Sequence, residues 1–432
     1  MNGLTANNQV WRNPGVKFDP AIKPASIDDE TQPSAIPVFI GWWGGDASPG
    51  LCYTDASRVP QQIKQGVLRD ALNQYFDNGG DRCFLLKLTP DPDDTKDRDA
   101  FEAWWNQQLA TNLDPLLSEP SVTLVAVPQL IGVVEKIASG MAVADKAPVI
   151  ADLAIKAWQA LLRAAHASRE DLFFVWDAPQ DPAVARTCIE QLQNEASLGE
   201  LGQHAALYGP HLLTDYESHV DDPYASDGYR LVPPSGAVLG LIARTDLAAG
   251  VWKAPANDAL WHVLKPQYRE TQTSGWFDMS KPTINLIRSF PGRGTRVWGC
   301  RTLAGTTGSP FRYVQVRRMV TWIEANLREV CRFAVFEPNN EVTWFQLRGL
   351  CNAWLRRVWL EGGLAGADES AAYSVQVGLN ESMTQVDIDA GRLLVKIGVA
   401  VLHAAEFINI NLVLKSGDAS AGDAQRVEGE TV

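Results

Sequence analysis

From Val38 onward, short apolar segments alternate with amphipathic helical segments, and few folds accommodate this alternation. Strand-like segments lie at residues 38–42, 83–88, 122–127 and 172–176. Between them, Ile63, Val67, Leu72 and Phe76 mark one face of a helix that should end at residues 78–80, and further helices are expected around 101–109 and 149–165. Strands separated by helices pair in parallel and are buried on both faces, so the pattern predicts an α/β layer.

The order of elements changes after about residue 278. Two strands are expected at 283–287 and 296–300, followed by two helices. The core side of the first helix carries Val316, Val320, Ile323, Leu327 and Val330. The second helix is expected at about 342–359, ending at Gly362-Gly363, and alternation at 393–401 and 408–414 predicts closing strands. We therefore expect a second domain of the α+β class.

The two ends of the chain differ from these domains. Residues 1–37 contain five prolines and little periodicity, which predicts an extended arm. Residues 416–432 are acidic and rich in Gly, Ala and Ser, which predicts a mobile tail. The predicted organisation is an arm at 1–37, an α/β domain at 38–277, an α+β domain at 278–415 and a tail at 416–432.

Composition argues against several classes of function. With 38 Lys and Arg against 51 Asp and Glu, the net charge is -13, so no cationic surplus is available for nucleic acid. The six cysteines form no C-x-x-C pair, so we interpret them as buried small hydrophobes in a reducing compartment. The polar N-terminus and the absence of a long apolar run predict cytoplasmic synthesis and no direct membrane contact.

The sequence contains candidate catalytic groups but no motif that joins them. The glycine-rich segment at 41–45 lacks the G-x-x-x-x-G-K-[ST] pattern, so a turn is favoured over a phosphate loop. The pairs Asp91/Asp93 and Asp221/Asp222 lie in proline-containing loops, where solvated turns explain them. No histidine pair has H-x-x-x-H spacing and no G-x-S-x-G motif is present. We therefore predict no enzyme, no metal site and no cofactor.

One stretch of the sequence points to a protein family far more specifically than the rest does. Residues 232–257, VPPSGAVLGLIARTDLAAGVWKAPAN, are similar almost residue for residue to a pattern of the contractile tail sheath family of phages, bacteriocins and extracellular injection systems. The segments VFIGWWGG at 38–45, YFDNGGDRCFLLKL at 75–88 and AALYGP at 205–210 also resemble that family. Further similarity at FEPN (336–339) and AEFI (405–408) extends the resemblance over most of the chain.

Two features depart from the family pattern. The family's aromatic Y-Y-P-W strand is here Tyr208-Gly209-Pro210-His211, which puts in doubt any contact made through an aromatic ring at the last position. The chain is also short beside the many-domain sheaths of large phages. Its length favours the compact sheaths of bacteriocins and extracellular injection systems.

The resemblance implies a structural subunit with an outer α/β domain, an inner α+β domain facing a tube, and extended terminal arms. Such subunits assemble as helically stacked hexameric rings, and contraction drives the tube through a target envelope. The implied partners are further copies of the chain, the inner tube protein, baseplate and terminator cap proteins, and paralogous sheath subunits. The implied location is a phage-tail-like particle, assembled in the cytoplasm and then part of a virion or extracellular particle.

Two other interpretations stay open. A cap or baseplate-associated component could use the sheath fold, and it would form short discs rather than long tubes. An α/β hydrolase-like enzyme with an unrecognised site is the alternative from another class. Electron microscopy separates both from a sheath, which forms hollow striated cylinders.

Both chain ends are predicted to exchange strands between subunits. Residues 10–18 alternate enough to pair as a strand, but the prolines keep this arm from packing into a core of its own. Residues 407–414 alternate in a way that suits a strand added to a sheet edge, and sheaths of the family use such arms to complete a neighbour's sheet. The residues predicted to take part are Val10, Trp11, Val16, Phe18, Phe407, Ile408, Ile410, Leu412 and Leu414.

A basic strip on the second domain is predicted to hold the tube. Arg317 and Arg328 lie eleven positions apart, about three helical turns, so they are expected on one face. A solvated face with local ion pairs is the alternative. The residues predicted to contact the tube are Arg317, Arg318, Arg328, Arg332, Arg348, Arg356 and Arg357.

Overall fold

A computed structural model describes residues 31–44, 50–89, 97–194, 198–218, 225–226, 228–304, 309–404 and 406. Several residues singled out in the sequence lie outside this part, namely Val10, Trp11, Val16, Phe18, Asp91, Asp93, Asp221, Asp222, Phe407, Ile408, Ile410, Leu412 and Leu414. The predicted tail at 416–432 and most of the predicted arm lie outside it as well.

The described residues form helices and strands in alternation. The strands are β1 (Pro37–Gly41), β2 (Gly50–Asp55), β3 (Arg82–Lys87), β4 (Leu124–Ala126), β5 (Phe173–Asp177), β6 (Ala205–Gly209), β7 (Leu212–Glu217), β8 (Ala225–Ser226), β9 (Tyr229–Val232), β10 (Val263–Pro266), β11 (Ile284–Phe290), β12 (Gly294–Trp298), β13 (Tyr373–Val377) and β14 (Val395–Val399). The helices are α1 (Val67–Asp77), α2 (Arg98–Asn112), α3 (Asp114–Leu117), α4 (Leu130–Ile137), α5 (Val143–His166), α6 (Pro182–Asn194), α7 (Ser235–Ala249), α8 (Val314–Val330), α9 (Glu341–Leu360), α10 (Glu369–Ala372) and α11 (Gln385–Asp389).

Eight strands form one large sheet in the order β12-β11-β6-β5-β4-β1-β3-β2. The six inner strands pair in parallel, whereas the edge strands β2 and β12 pair antiparallel with their neighbours. Successive residues of β1 enter different cores: Val38 and Ile40 pack with the apolar sides of α4, α5 and α6, while Phe39 packs with α1 and α7. Both faces of the sheet are covered, which confirms the α/β prediction.

The strands predicted at 283–287 and 296–300 belong to this sheet and not to a second domain. They are β11 and β12, and β11 pairs in parallel with β6. A division of the chain at residue 278 is therefore wrong for these strands, because it would separate β11 from the strand to which it is hydrogen-bonded. Periodicity identifies a strand but does not say which sheet it joins.

A smaller α+β unit follows β12. Helices α8 and α9 pack with the two-stranded sheet of β13 and β14 around a core that includes Ile323, Trp354 and Val358. Asn340 begins α9 by accepting hydrogen bonds from the amides of Val342 and Thr343. The predicted helix pair and the alternation at 393–401 thus have structural counterparts in α8, α9 and β14.

The specific stretch at 232–257 builds α7 and its contacts. Ser235, at the start of α7, donates from its amide and its hydroxyl to the carboxyl group of Asp177 at the end of β5, over 2.6 and 2.7 Å. Gly236 and Gly240 face α1 so closely that a Cβ atom would collide with backbone atoms of Ala71 or Tyr75. Two prominent glycines of the pattern therefore serve close helix packing.

Candidate assembly site at the roots of the two chain ends

Helix α8 begins after Tyr313, and its first turns are covered on all sides. Residues 314–319 are all buried, including Arg317 and Arg318. The short 3-10 helix Gly199–His204 from the large-sheet domain contacts this part of α8, and α9 packs alongside it. Polar side chains here must therefore find partners inside the protein.

We call residue Glu406, where the described structure ends, the C-terminal root. It is held by Arg301, whose side chain is 1% exposed. Its Nε and Nη2 atoms donate to the two carboxylate oxygens of Glu406 over 2.9 and 2.5 Å, and Nη1 donates to the carbonyl oxygens of Asp278 and Met279. The Tyr313 hydroxyl donates to the same carboxylate over 3.1 Å. Burial and Glu406 raise the pKa of Tyr313, which keeps this donor protonated. Residue 406 is thus fixed where the chain leaves the described structure.

Residues 32–34, near the start of the described structure, form the N-terminal root, and Arg318 holds them. Its guanidinium donates to both carboxylate oxygens of Asp246 over 3.1 and 2.5 Å, and to the carbonyl oxygen of Ser34 over 2.9 Å. The Ser34 hydroxyl donates to Asp246 over 2.6 Å. Since the side chains of Arg318 and Asp246 are 2% and 6% exposed, this pair is shielded from water and from salt.

Two further turns of α8 extend this attachment. The indole nitrogen of Trp322 donates to the carbonyl oxygen of Gln32 over 2.8 Å, and the amide of Gln32 donates to the Asn326 side chain over 2.9 Å. Arg318, Trp322 and Asn326 are spaced four residues apart, so they share one face of α8. That spacing is visible in the sequence, but nothing there identifies residues 32–34 as the partner.

Two of the predicted tube-contact residues are not on an accessible strip. Arg318 is occupied at the N-terminal root, and Arg317 is buried with its guanidinium 4.3 Å from the ring of Phe311 and hydrogen-bonded to Thr321. Burial also lowers the pKa of Arg317. The helical spacing of Arg317 and Arg328 is real, but only Arg328 lies beyond the covered turns and is exposed. Arg317 and Arg318 are therefore corrected from surface contacts to internal ones.

Most of the remaining arginines form local ion pairs. Arg332 pairs with Glu329 over 3.2 Å, Arg348 with Glu381 over 2.5 Å and Arg356 with Glu369 over 2.9 Å. Arg357 is half-buried. Local pairing is the alternative that the sequence left open, and the side chains of the three paired arginines are 39% to 75% exposed.

His211, where the family pattern has an aromatic residue, lies inside the protein. Its Nε2 atom is 3.2 Å from the carbonyl oxygen of Ala178, and burial lowers its pKa to about 4. The ring is therefore neutral and fills interior space. Among the described residues, no group of three or more His, Cys, Asp or Glu side chains is placed to hold a metal ion. No helix in that part is long and apolar enough to span a membrane.

Comparisons with known proteins agree with this architecture. A family model described as the phage tail sheath C-terminal domain matches residues 306–415. A chain from the contracted-state baseplate of the anti-feeding prophage is 31% identical, with coverage of 95% of this chain and 100% of that one and a TM-score of 0.77. A chain from the contracted sheath complex of PVC, an extracellular contractile injection system, is 26% identical, with coverage of 95% and 99% and a TM-score of 0.63.

Curated relatives match over shorter segments. The tail sheath protein of Vibrio phage KVP40 is 26% identical over 200 residues, which make up 45% of this chain and 28% of that protein. The matched segments of the curated phage relatives span 18% to 31% of those proteins' own length.

Proposed function

The chain belongs to the contractile tail sheath family, and from this membership we propose that it polymerises as helically stacked hexameric rings around an inner tube and contracts to drive that tube through a target envelope. The observation that carries the proposal is the arrangement of the chain ends. Nearly buried arginine–carboxylate pairs fix both roots, one through Arg318 of α8 and the other through Arg301 after β12, while the other described residues form well-packed cores. Such ends are suited to joining neighbouring copies.

The arms supply the links of the polymer. A helical lattice needs head-to-tail contacts that do not close on themselves, and an exchanged strand is such a contact. In the proposal, residues 10–18 and 407–414 add strands to a neighbour's sheet. Main-chain pairing in the arms and rigid roots at Arg301 and Arg318 let the subunit bodies rotate during contraction while the links persist.

Deleting residues 1–20 tests the links. The shortened chain keeps the anchored residues Gln32 and Ser34, so we expect a soluble protein with the circular dichroism and thermal unfolding of the full chain. Electron microscopy of the overexpressed protein should show no long cylinders. Deleting residues 420–432, from the acidic tail, is the matched control and should leave cylinders intact. Contracting sheaths of normal length from the chain without residues 1–20 would rule out linkage through the N-terminal arm.

The contact with the tube is a separate proposal. Arg328 and Arg332 are exposed at the end of α8, and Arg348, Arg356 and Arg357 belong to the same domain; the glutamates paired with Arg332, Arg348 and Arg356 offset part of this positive charge. We propose that these residues face an inner tube protein, and that assembly occurs in the cytoplasm with baseplate and cap proteins as further partners.

A second candidate function has its own observation. The 31% identical chain comes from a baseplate assembly, so this protein could form the part of a sheath that joins a baseplate. Such a component would assemble as short discs. The length of the particles seen by electron microscopy therefore separates the two functions.

A further inference from the structure

Two cysteine side chains meet between α8 and α9. The sulfur atoms of Cys331 and Cys351 are 3.6 Å apart. Cys331 caps the C-terminal end of α8, and Cys351 lies in the middle of α9. A disulfide has a sulfur–sulfur distance of about 2.05 Å, so the two atoms need to approach by roughly 1.5 Å to form one. Both residues are free thiols in this structure.

The two thiols differ in their surroundings. Cys351 is wholly buried within the core of the α+β unit, whereas Cys331 is partly exposed and packs at the junction of that core with a smaller cluster around Leu347. The contact with Cys351 lowers the pKa of Cys331, while the pKa of Cys351 is raised by the same contact and by burial. Cys331 is therefore the thiol that ionises more readily and can be reached from solvent.

The other four cysteines have different environments. Cys83, Cys188 and Cys300 are buried, and burial raises the pKa of each thiol. Cys52 is exposed, contrary to the expectation that all six are buried. It offers an internal comparison, because a reagent that modifies cysteines by exposure alone would select Cys52.

We propose that Cys331 and Cys351 form an intramolecular disulfide when the protein meets a small-molecule disulfide such as oxidised glutathione. The Cys331 thiolate attacks one sulfur of the reagent, forms a mixed disulfide and releases one glutathione thiolate. Cys351 then loses its proton, displaces the second glutathione and closes the protein disulfide. Two protein thiols are oxidised, the reagent is reduced to two glutathione thiols, and the protons and electrons balance.

The cross-link would fix the helix that holds the N-terminal root. Cys331 ends α8, which binds Ser34 and Gln32 through its central turns. Joining its last turn to α9 closes a loop of residues 331–351 and restricts the unfolded chain, which stabilises the folded unit. We expect the oxidised full-length protein to unfold at a temperature several degrees above that of the reduced protein, with slower amide exchange in 331–351.

Mass spectrometry tests the link directly in the full-length protein. After incubation with oxidised glutathione and blocking of free thiols, trypsin should release residues 329–332 joined to residues 349–356, since cleavage follows Arg328, Arg332, Arg348 and Arg356. This linked peptide should be lost when dithiothreitol is added. Glutathione on Cys52 or Cys331 without the linked peptide would overturn the proposal.

Substitutions provide a second readout. Cys331→Ser should fold like the parent, because the residue is partly exposed, and should show no difference in thermal unfolding between oxidised and reduced samples. Cys351→Ala should likewise lose the difference, and Cys52→Ser should keep both the link and the thermal shift. If the shift persists in Cys331→Ser, its source lies elsewhere and the proposal fails.

Discussion

Arg301 and Arg318 each combine one carboxylate with main-chain carbonyl oxygens, and both are almost fully buried. Removing one partner from a buried pair leaves an uncompensated charge and costs about 3–5 kcal/mol, whereas replacing both by apolar groups is often neutral. Single and double substitutions at these sites therefore separate charge burial from anchoring.

Glu406→Gln should loosen the C-terminal root. Arg301 keeps the carbonyl oxygens of Asp278 and Met279, so the expected loss in the free energy of unfolding is about 1–3 kcal/mol rather than the full cost of a bare charge. Limited proteolysis beyond residue 406 should become faster. Glu381→Gln, which removes the exposed carboxylate paired with Arg348, is the matched control and should cost less than about 1 kcal/mol. Equal losses of stability in the two variants would mean that Glu406 contributes no more than an exposed glutamate in a surface ion pair.

Asp177→Asn should change how stability depends on pH. Burial raises the pKa of Asp177 from 3.8 to about 7, so in the folded protein this carboxyl group retains a proton that it loses in the unfolded chain. Its stabilising contribution is complete below the unfolded pKa and is lost as the pH rises through the folded pKa. Asparagine has no carboxyl proton and does not titrate in this range, and its side-chain amide can still pair with Ser235. Thermal unfolding should increasingly favour Asp177→Asn over the parent from about pH 4 to about pH 7; a constant difference would contradict this assignment.

At the scale of elements, the Arg318–Asp246 contact joins α8 to α7 and to the N-terminal root. Asp246→Ala leaves Arg318 buried without its carboxylate and removes the acceptor of the Ser34 hydroxyl. We expect a loss of about 3 kcal/mol in the free energy of unfolding and faster proteolysis before residue 34.

The double variant Arg318→Met/Asp246→Leu is the control for charge burial. It should recover most of the thermal stability, because neither charge is left unpaired. It should not restore protection of the N-terminal segment, because the carbonyl oxygen of Ser34 has lost its donor. Recovery of both properties would mean that the pair serves stability alone.

The existence of α8 could be predicted, but its surroundings could not. Val316, Ile323 and Leu327 are buried as their spacing predicts, because a 3.6-residue period reports the face that a helix turns inward. Arg317 and Arg318 were expected at the surface, since nothing local indicates that Gln203 and Asp246 approach them from 114 and 72 residues away. Similarly, β11 was recognised as a strand, but its pairing with β6 is a long-range contact.

At the scale of the whole molecule, the exposed arginines of the α+β unit carry the proposed tube contact. Arg328→Glu/Arg332→Glu should reduce co-sedimentation of an inner tube with the sheath, because it reverses two exposed charges without touching the buried roots. Higher salt should weaken the parent contact in the same assay, since screening acts over about 8 Å at physiological ionic strength.

Arg58→Glu/Arg186→Glu is the matched control for net charge. Both arginines lie on the large-sheet domain, with side chains 73% and 51% exposed. This variant should bind the tube like the parent. An equal loss of binding in the two double variants would point to overall charge, and unchanged binding in both would remove the basic contact from the proposal.

The two roots are attached close together near the start of α8, and this placement also has a mechanical meaning. Tyr313 and Arg318 are five positions apart, so the two attachment points lie roughly 8 Å apart along the helix axis. A pull that enters through one arm and leaves through the other therefore passes through the start of α8 and through Arg301, whose amide is hydrogen-bonded to Asn285, so it reaches the eight-stranded sheet at β11. Most of the subunit body therefore lies outside the path along which tension passes from one arm to the other.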